Sequence, residues 1–384
     1  MELGVESTKS KIGVFSFFSG AGFLDLGFEM TQGYASLLVN EYHEPFMDIY
    51  KSSRRRLAIK QPTFGHSTRS IASYLDTREA ALLKDKVNEA RNTHDFICFI
   101  GGPPCPDFSV GGKNKGSDGE NGKLSGTYIE LIIRNSPDLF LFENVKGLYR
   151  TKKHKAFFNS LKEQLVQSGY HLTEKLINAI EYGAPQDRER IILIGVKNSL
   201  LYDHGINPNT SSQLIGFPWE ARTQYRAEEI FALDWPTQEP FAEGSVKVIP
   251  PDLIPELTVE HWFQKNEVIN HPNAQHFFKP RAGLSKFQSI DEGDDLKKSY
   301  KRLHRWRFSP TAAYGNNEVH VHPYKARRIS VADALAIQSL PKEFVIPEHI
   351  SLSNMFKTIG NGVPFLAARG LAETLQDYLE KIRT

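Results

Sequence analysis

Four short segments carry side chains whose types and spacing allow chemistry. In Gly101-Gly102-Pro103-Pro104-Cys105-Pro106-Asp107-Phe108-Ser109, one cysteine stands just past an apolar run. The flanking prolines restrict its backbone, and the paired glycines leave room for a ligand. Such a frame can hold a thiol still and exposed; nucleophilic use further needs a lowered pKa, because the thiolate is the reactive form. Cys98, within the apolar run, reads as a small buried hydrophobe. Glu143-Asn144-Val145 closes a second apolar run, Leu-Phe-Leu-Phe. A poorly solvated carboxyl there would have a raised pKa and could donate or share a proton; a plain structural acid is the alternative. In Gln186-Asp187-Arg188-Glu189-Arg190, an extended backbone puts Gln186, Arg188 and Arg190 on one face and the acids on the other. Converging guanidiniums suit a phosphate or a carbonyl that gains charge, although salt-bridged surface arginines have the same pattern.

The fourth segment, Phe18-Ser19-Gly20-Ala21-Gly22-Phe23, is a turn that a ligand can approach closely, followed by a helix start that favours negative charge. It fits a methyl-donor site, a dinucleotide site lacking the full glycine spacing, or a structural turn. Glu41 could accept both hydroxyls of a ribose or be a solvated loop acid. Tyr42 could stack on an adenine or shield a sheet edge. Val110–Ser125 is rich in Gly and Lys, with almost no apolar content. It reads as a disordered surface loop or as a mobile lid carrying charge to a polyanion.

The elements that must position these residues are legible in the first half of the chain. Apolar β-type runs at Val14–Phe18, Ser36–Asn40, Asp95–Ile100 and Leu139–Phe142 alternate with helical patterns, including Thr77–Arg91 and Lys155–Gln167. Gly169 suits the C-cap of the latter. Leu172–Ile180 and Arg190–Val196 read as a β-pair closing the sheet. The alternation predicts an α/β fold, a doubly wound, mostly parallel sheet with helices on both faces. In open α/β sheets ligands bind beyond the carboxyl ends of strands, and the chemical residues sit at four such ends. After about Lys197 prolines become frequent and periodicity weakens through Gly205–Tyr324, as in a second domain or long insertion. Regular structure returns at Ser330–Gln338 and in a terminal helix, Phe365–Ile382.

Composition bounds the class. The 384 residues are 40% hydrophobic and 24% charged, ordinary for a soluble globular protein. No apolar run approaches the roughly 20 residues that span a bilayer, and Met1–Lys11 has no apolar signal core. Two cysteines are too few for a disulfide framework and lack zinc-ligand spacing, so no metal and a reduced cytoplasmic setting are expected. A net charge of +2 says nothing about nucleic acid; only a local basic concentration would. Lys279-Pro280-Arg281 and the basic-aromatic run Lys297–Arg307 are such concentrations, for phosphate positioning or as a solvated basic face.

With these residues in place, the chain resembles the DNA (cytosine-5) methyltransferases, of the bacterial restriction-modification type. Phe18-Ser19-Gly20-Ala21-Gly22 is similar to the family's first cofactor motif, Pro104-Cys105 to its nucleophile motif and Glu143-Asn144-Val145 to its acid motif. Gln186-x-Arg188-x-Arg190 resembles its arginine motif. Gly360-Asn361-Gly362-Val363-Pro364 resembles its last motif, whose following helix folds back beside the first. Three positions depart from the pattern. Gly65-His66-Ser67 stands where Gly-Asp is usual, leaving open whether His66 or Ser67 replaces an acidic contact to the adenine amine. Ala332-Asp333 replaces Arg-Glu in the block that packs the domains together. Pro106 replaces the usual glutamine.

The resemblance implies S-adenosyl-L-methionine as cofactor, held by Phe18, Ser19, Gly20, Gly22, Phe23, Glu41, Tyr42, Pro104, Asn361 and Val363. It implies addition of Cys105 to a flipped cytosine, with Glu143 sharing a proton at ring nitrogen 3, Arg188 holding the carbonyl, and Arg190 and Gln186 in support. It divides the chain into a catalytic domain (1–197), a smaller, irregular target-recognition domain (198–325), an interdomain segment (326–352) and a carboxyl-terminal segment returning to the catalytic domain (353–384). Double-stranded DNA is the implied partner, contacted by Ser109, Lys113, Lys115, Lys279, Arg281, Arg302 and Arg305. A cognate restriction endonuclease for the same site and a monomeric state are also implied. A tRNA cytosine methyltransferase would share the catalytic blocks, but its shorter characteristic insert is not found here. A catalytically inactive DNA-binding relative would not keep Cys105, Glu143 and Arg188.

Overall fold

The computed structural model describes residues 11–104, 120–203, 213–214, 216–280, 284–296, 300–311, 314 and 319–383. Seven strands form the main sheet: β1 (Ile12–Phe17), β2 (Tyr34–Asn40), β3 (His66–Ser67), β4 (Phe96–Gly101), β5 (Leu139–Val145), β6 (Tyr170–Asn178) and β7 (Glu189–Lys197). Their order is β3-β2-β1-β4-β5-β7-β6, and only β7 runs against its neighbours. Between them come α1 (Phe23–Glu29), α2 (Glu44–Arg56), α3 (Thr77–Arg91), α4 (Glu120–Asn135) and α5 (Lys152–Gln167).

Strand alternation divides the core in two. Ile12 and Val14, with Cys98, Ile100, Leu139, Leu141, Ile192 and Ile194, pack against α1 and the terminal helix, Phe365–Arg383. Phe15 and Phe17, with Ile97, Phe99, Phe140, Phe142 and Leu193, pack against α3, α4 and α5. Each fully buried side chain of this size contributes about 1.5–3 kcal/mol, so the sheet is a rigid platform for what its edge carries. The expected doubly wound, mostly parallel sheet is the one found. Gly169 follows α5 at φ +89, the left-handed conformation of a helix stop.

Beyond β7 come α6 (Asn198–Asp203), α7 (Ala227–Phe231), α8 (Val259–Lys265), α9 (Leu284–Ser289), the two-residue strands β8 (Lys301–Arg302) and β9 (His320–Val321), α10 (Val331–Ile337), α11 (Leu352–Asn361) and α12 (Phe365–Arg383). Leu200, Leu201, Leu214, Phe217 and Trp219 join the core shared by the sheet and α12. Trp262 and Phe263 of α8 share a core with α10, Phe344 and Met355. Asp333, shorter than the usual Glu, is fully buried: it caps α10 by accepting from Ser330 N (2.7 Å) and receives Arg327 Nη1 (2.8 Å). The expected loop Val110–Ser125 is corrected at its end, because α4 is already helical from Glu120.

Candidate active site

The carboxyl edge of the sheet gathers the motifs. The turn after β1 is strongly left-handed, with Phe18 at φ +56, Gly20 at +58 and Gly22 at +77. Glu41, at the end of β2, ties it down: Gly20 N donates to one carboxylate oxygen (2.8 Å) and His43 N to the other (2.7 Å). Each oxygen keeps a second lone pair for a ligand hydroxyl. Burial raises the Glu41 pKa, against the lowering effect of those two N–H groups and Lys357. Ser19 Oγ is buried and has no hydrogen-bond partner among the described residues, so a polar ligand group would complete it. The Phe18 ring stands edge-on to Tyr128 (6.0 Å), and the Tyr42 ring is 70% exposed beside Glu41. Gly362 lies flush on the Phe23 ring, where a Cβ would come within 2.1 Å; Asn361 is exposed and Val363 buried on either side. Thus the last motif does border the first turn. His66, in β3, turns its ring toward Tyr50 (5.7 Å), and burial together with Lys51 and Arg54 lowers its pKa to about 4, leaving it neutral.

The second cluster lies where β4 and β5 end. Glu143 Oε1 forms an ion pair with the Arg190 guanidinium, 2.9 Å from its Nε. A Cβ on Gly102 would meet Glu143 Oε2 at 2.5 Å, so only glycine lets the backbone before Cys105 come this close to the acid. Asn144 Nδ2 donates to Pro103 O (3.4 Å), and Pro104 is exposed just beyond. Desolvation raises the Glu143 pKa, partly offset by Arg190 and then Arg188. Cys105 itself lies outside the described residues, as do Ser109, Lys113, Lys115 and Arg281.

The two arginines have different partners. Arg190 faces Glu143, whereas Arg188, 1% exposed, donates from Nη2 to Gly360 O (2.7 Å) and so holds the last motif against β7. Its backbone N donates to Asn178 Oδ1 (3.0 Å), and Asn178 Nδ2 donates to Asp187 (2.7 Å). Arg190 is the guanidinium ion-paired with the acid, and the positive charge of both arginines acts on Glu143, so either lies where a substrate carbonyl beside that acid would be met. Gln186 is fully buried, with both amide atoms lacking a partner among the described residues.

The DNA contacts divide similarly. Lys279 is exposed. Arg302 and Arg305 are not available to phosphate, which corrects that expectation. Arg302 is fully buried and donates to the carbonyls of Ile290 (2.8 Å), Phe287 and Lys325. Arg305 is 2% exposed and forks onto Glu292 (2.7 and 2.9 Å) and Ser245 Oγ (2.7 Å). Two features escaped the sequence reading. Asn178 has a signal, the capping box it forms with Glu181. Arg54 has none, since Arg54-Arg55-Arg56 reads as an ordinary basic helix end.

Among the described residues no cluster of His, Cys, Asp and Glu suits a metal ion, and no helix is long and apolar enough to cross a membrane. Comparison with known proteins places the chain among relatives. The family profile described as C-5 cytosine-specific DNA methylase matches residues 12–377. Type II methyltransferase M.NmeDI of Neisseria meningitidis serogroup C is 57% identical over 380 residues, covering 99% of this chain and 87% of the relative. Type II methyltransferase M.FnuDI of Fusobacterium nucleatum is 28% identical, covering 96% of each. Among solved structures, S. pombe Dnmt2 methyltransferase superposes with a TM-score of 0.59 at 12% identity, over 97% of this chain and 100% of that one. A Spodoptera frugiperda DNMT2 variant gives 0.57 at 14%, over 95% and 99%. These two likenesses bear on the fold alone.

Proposed function

Because the chain belongs to the C-5 cytosine-specific DNA methylase family, we propose that it methylates carbon 5 of a cytosine flipped out of double-stranded DNA at one short sequence. S-adenosylmethionine is the donor, and the enzyme is the modification partner of a type II restriction endonuclease, acting as a cytoplasmic monomer. The observation that carries this reading is the buried Glu143–Arg190 pair resting on Gly102, three residues before Cys105.

A cytosine inside a duplex is out of reach, so it is extruded at a cost of about a few kcal/mol. The Cys105 thiolate adds to carbon 6, forming a carbon–sulfur bond and pushing negative charge onto the ring. Glu143, with its raised pKa, shares a proton at ring nitrogen 3 and neutralises that charge. Arg188 or Arg190, whose charges both act on Glu143, steadies the ring carbonyl, and Arg188 also keeps the Gly360 segment in place. S-adenosylmethionine, when bound, supplies the methyl group that carbon 5 takes up. Loss of the carbon-5 proton to a solvent base and cleavage of the carbon–sulfur bond return Cys105 as thiolate.

The cofactor fits the residues at the first turn. Glu41 has free lone pairs for two ribose hydroxyls, Ser19 Oγ awaits a polar partner, and Phe18 and Tyr42 offer aromatic faces. Gly20, Gly22 and Phe23 are proposed to shape its pocket, with Pro104, Asn361 and Val363 proposed at the rim. Lys279, with Ser109, Lys113, Lys115 and Arg281, is proposed to contact the DNA backbone, and the region up to residue 325 to choose the site.

The test is to give purified protein S-adenosylmethionine and unmethylated genomic DNA, then to map 5-methylcytosine at single-base resolution. Methylation confined to one recurring sequence is the expected result. No methylation by folded, cofactor-bound protein overturns the reading.

A further inference from the structure

Beneath the Phe18–Phe23 turn lies a buried ion cluster that the chemistry above does not use. Arg54, 1% exposed, reaches from α2 to the turn. Its Nε donates to Glu29 (2.7 Å), and Nη1 donates to Ser53 Oγ (3.2 Å) and Ala21 O (3.3 Å). Nη2 donates to Gly22 O (2.5 Å), which also accepts Leu26 N of α1 (2.9 Å). The guanidinium lies over the Tyr50 ring at 4.0 Å, and the Tyr50 hydroxyl donates to the second oxygen of Glu29 (2.6 Å). A Cβ on Gly22 would strike both the Tyr50 ring (2.4 Å) and Arg54 Nη2 (2.5 Å), so the turn rests directly on the cluster.

Stability alone does not call for this arrangement, because a buried ion pair is often matched or bettered by apolar residues of the same volume. What an arginine provides and an apolar side chain cannot is a planar fork with donors for two successive carbonyls. Those carbonyls belong to a turn whose backbone is left-handed at three positions, a conformation with little intrinsic preference. A peptide plane that directs Gly22 O down to Arg54 directs the Phe23 N–H the opposite way.

We infer that Arg54 is a positioning residue for the donor pocket: it holds the Ala21–Gly22 carbonyls so that the turn is preformed for the cofactor. The inference rests on the reading of that turn as the S-adenosylmethionine site. Arg54 therefore governs cofactor affinity and not the chemical step.

The test compares wild type, Glu29→Gln, Arg54→Lys and the double variant Arg54→Met/Glu29→Gln by calorimetric titration with S-adenosylhomocysteine, with thermal melting alongside. Glu29→Gln keeps the fork on the turn and is expected to bind within about twofold of wild type. The double variant removes the fork without stranding a buried charge. It is expected to melt near wild type yet bind about tenfold more weakly, the effect of losing one charge-assisted hydrogen bond. In turnover, its KM for the donor should rise by a similar factor, with kcat at saturating donor falling far less. Arg54→Lys, one point charge in place of a fork, should lie between, and it decides the matter if the double variant does not fold. Wild-type affinity in the double variant, or in Arg54→Lys, overturns the inference. So does equal weakening by Glu29→Gln and the double variant, which would mark a merely structural cluster. Failure of folded wild-type protein to bind the probe overturns the reading of the turn itself, a separate and recognisable result.

Discussion

The sheet edge and the irregular region from about 226 to 325 both bury charge, and they use it differently. At the edge, Glu41 and Glu143 are held by only part of their hydrogen-bonding capacity, and Ser19 and Gln186 present buried polar atoms without partners among the described residues. That region is incomplete in a way that a ligand would complete. In the irregular region, Arg305 is consumed by Glu292 and Ser245, and Lys247 lies between Glu239 and Glu292. Arg302 donates to carbonyls that receive no N–H from a sheet ladder. With two-residue strands and short helices, this region has few ladder hydrogen bonds, and buried guanidiniums satisfy its carbonyls instead. A basic-aromatic run is therefore no phosphate footprint until the partner of each cation is known.

The sharpest way to break the contrast is at the edge. Cys105→Ala should abolish methyl transfer while leaving folding and DNA binding largely intact, and retained turnover would remove the covalent mechanism. Glu143→Gln should lower kcat by about 10²–10⁴ with unchanged melting; an equal loss of stability would make Glu143 an ordinary structural acid. In the irregular region the expectation reverses. Arg305→Met leaves buried Glu292 with only the more distant Lys247 and should cost about 3 kcal/mol of stability, read by urea unfolding. If instead it melts normally but weakens DNA binding, the side chain belongs to the interface after all.

A subtler comparison concerns Asp25, a buried acid in α1 away from the edge, whose pKa is raised to about 7 by burial and then by Glu29. The folded state binds this proton more tightly than the unfolded state, so its stabilising contribution is full below the unfolded value of 3.8 and is lost as pH rises through about 7. Between pH 5 and pH 8 the melting temperature of wild type should fall more than that of Asp25→Asn; parallel curves would clear Asp25. The smallest effect is expected at Lys279, exposed and free to meet a phosphate. Lys279→Ala should weaken all DNA sequences alike and reduce the salt dependence of binding by about one phosphate contact.

The sheet was legible because short apolar runs, such as those at Phe96–Gly101 and Leu139–Val145, alternate with helical patterns, and because α3 has helical spacing over the whole of its observed span. The motif residues were legible because they end those strands. What stayed hidden depends on partners distant in the chain. Nothing near Arg188 announces Gly360, nor does anything near Arg305 announce Ser245 and Glu292. The alternation of Gln186, Arg188 and Arg190 correctly separated them from the acids, but not which guanidinium meets Glu143, because that depends on the antiparallel register of β5 and β7.

The packing of α12 on α1 has a consequence for synthesis. Gly27 lies so close to the Ala368 backbone that a Cβ would come within 2.4 Å of it, and the Tyr34 hydroxyl donates to Ala372 O, 338 residues away. At about 5–20 residues per second, a ribosome that has just made the first turn needs tens of seconds before it makes the helix that covers it. Through that interval Leu24 and Phe28 lack their cover, and Arg188 lacks the Gly360 carbonyl. The apolar face of α1 therefore stays uncovered until the last helix of the chain has been made.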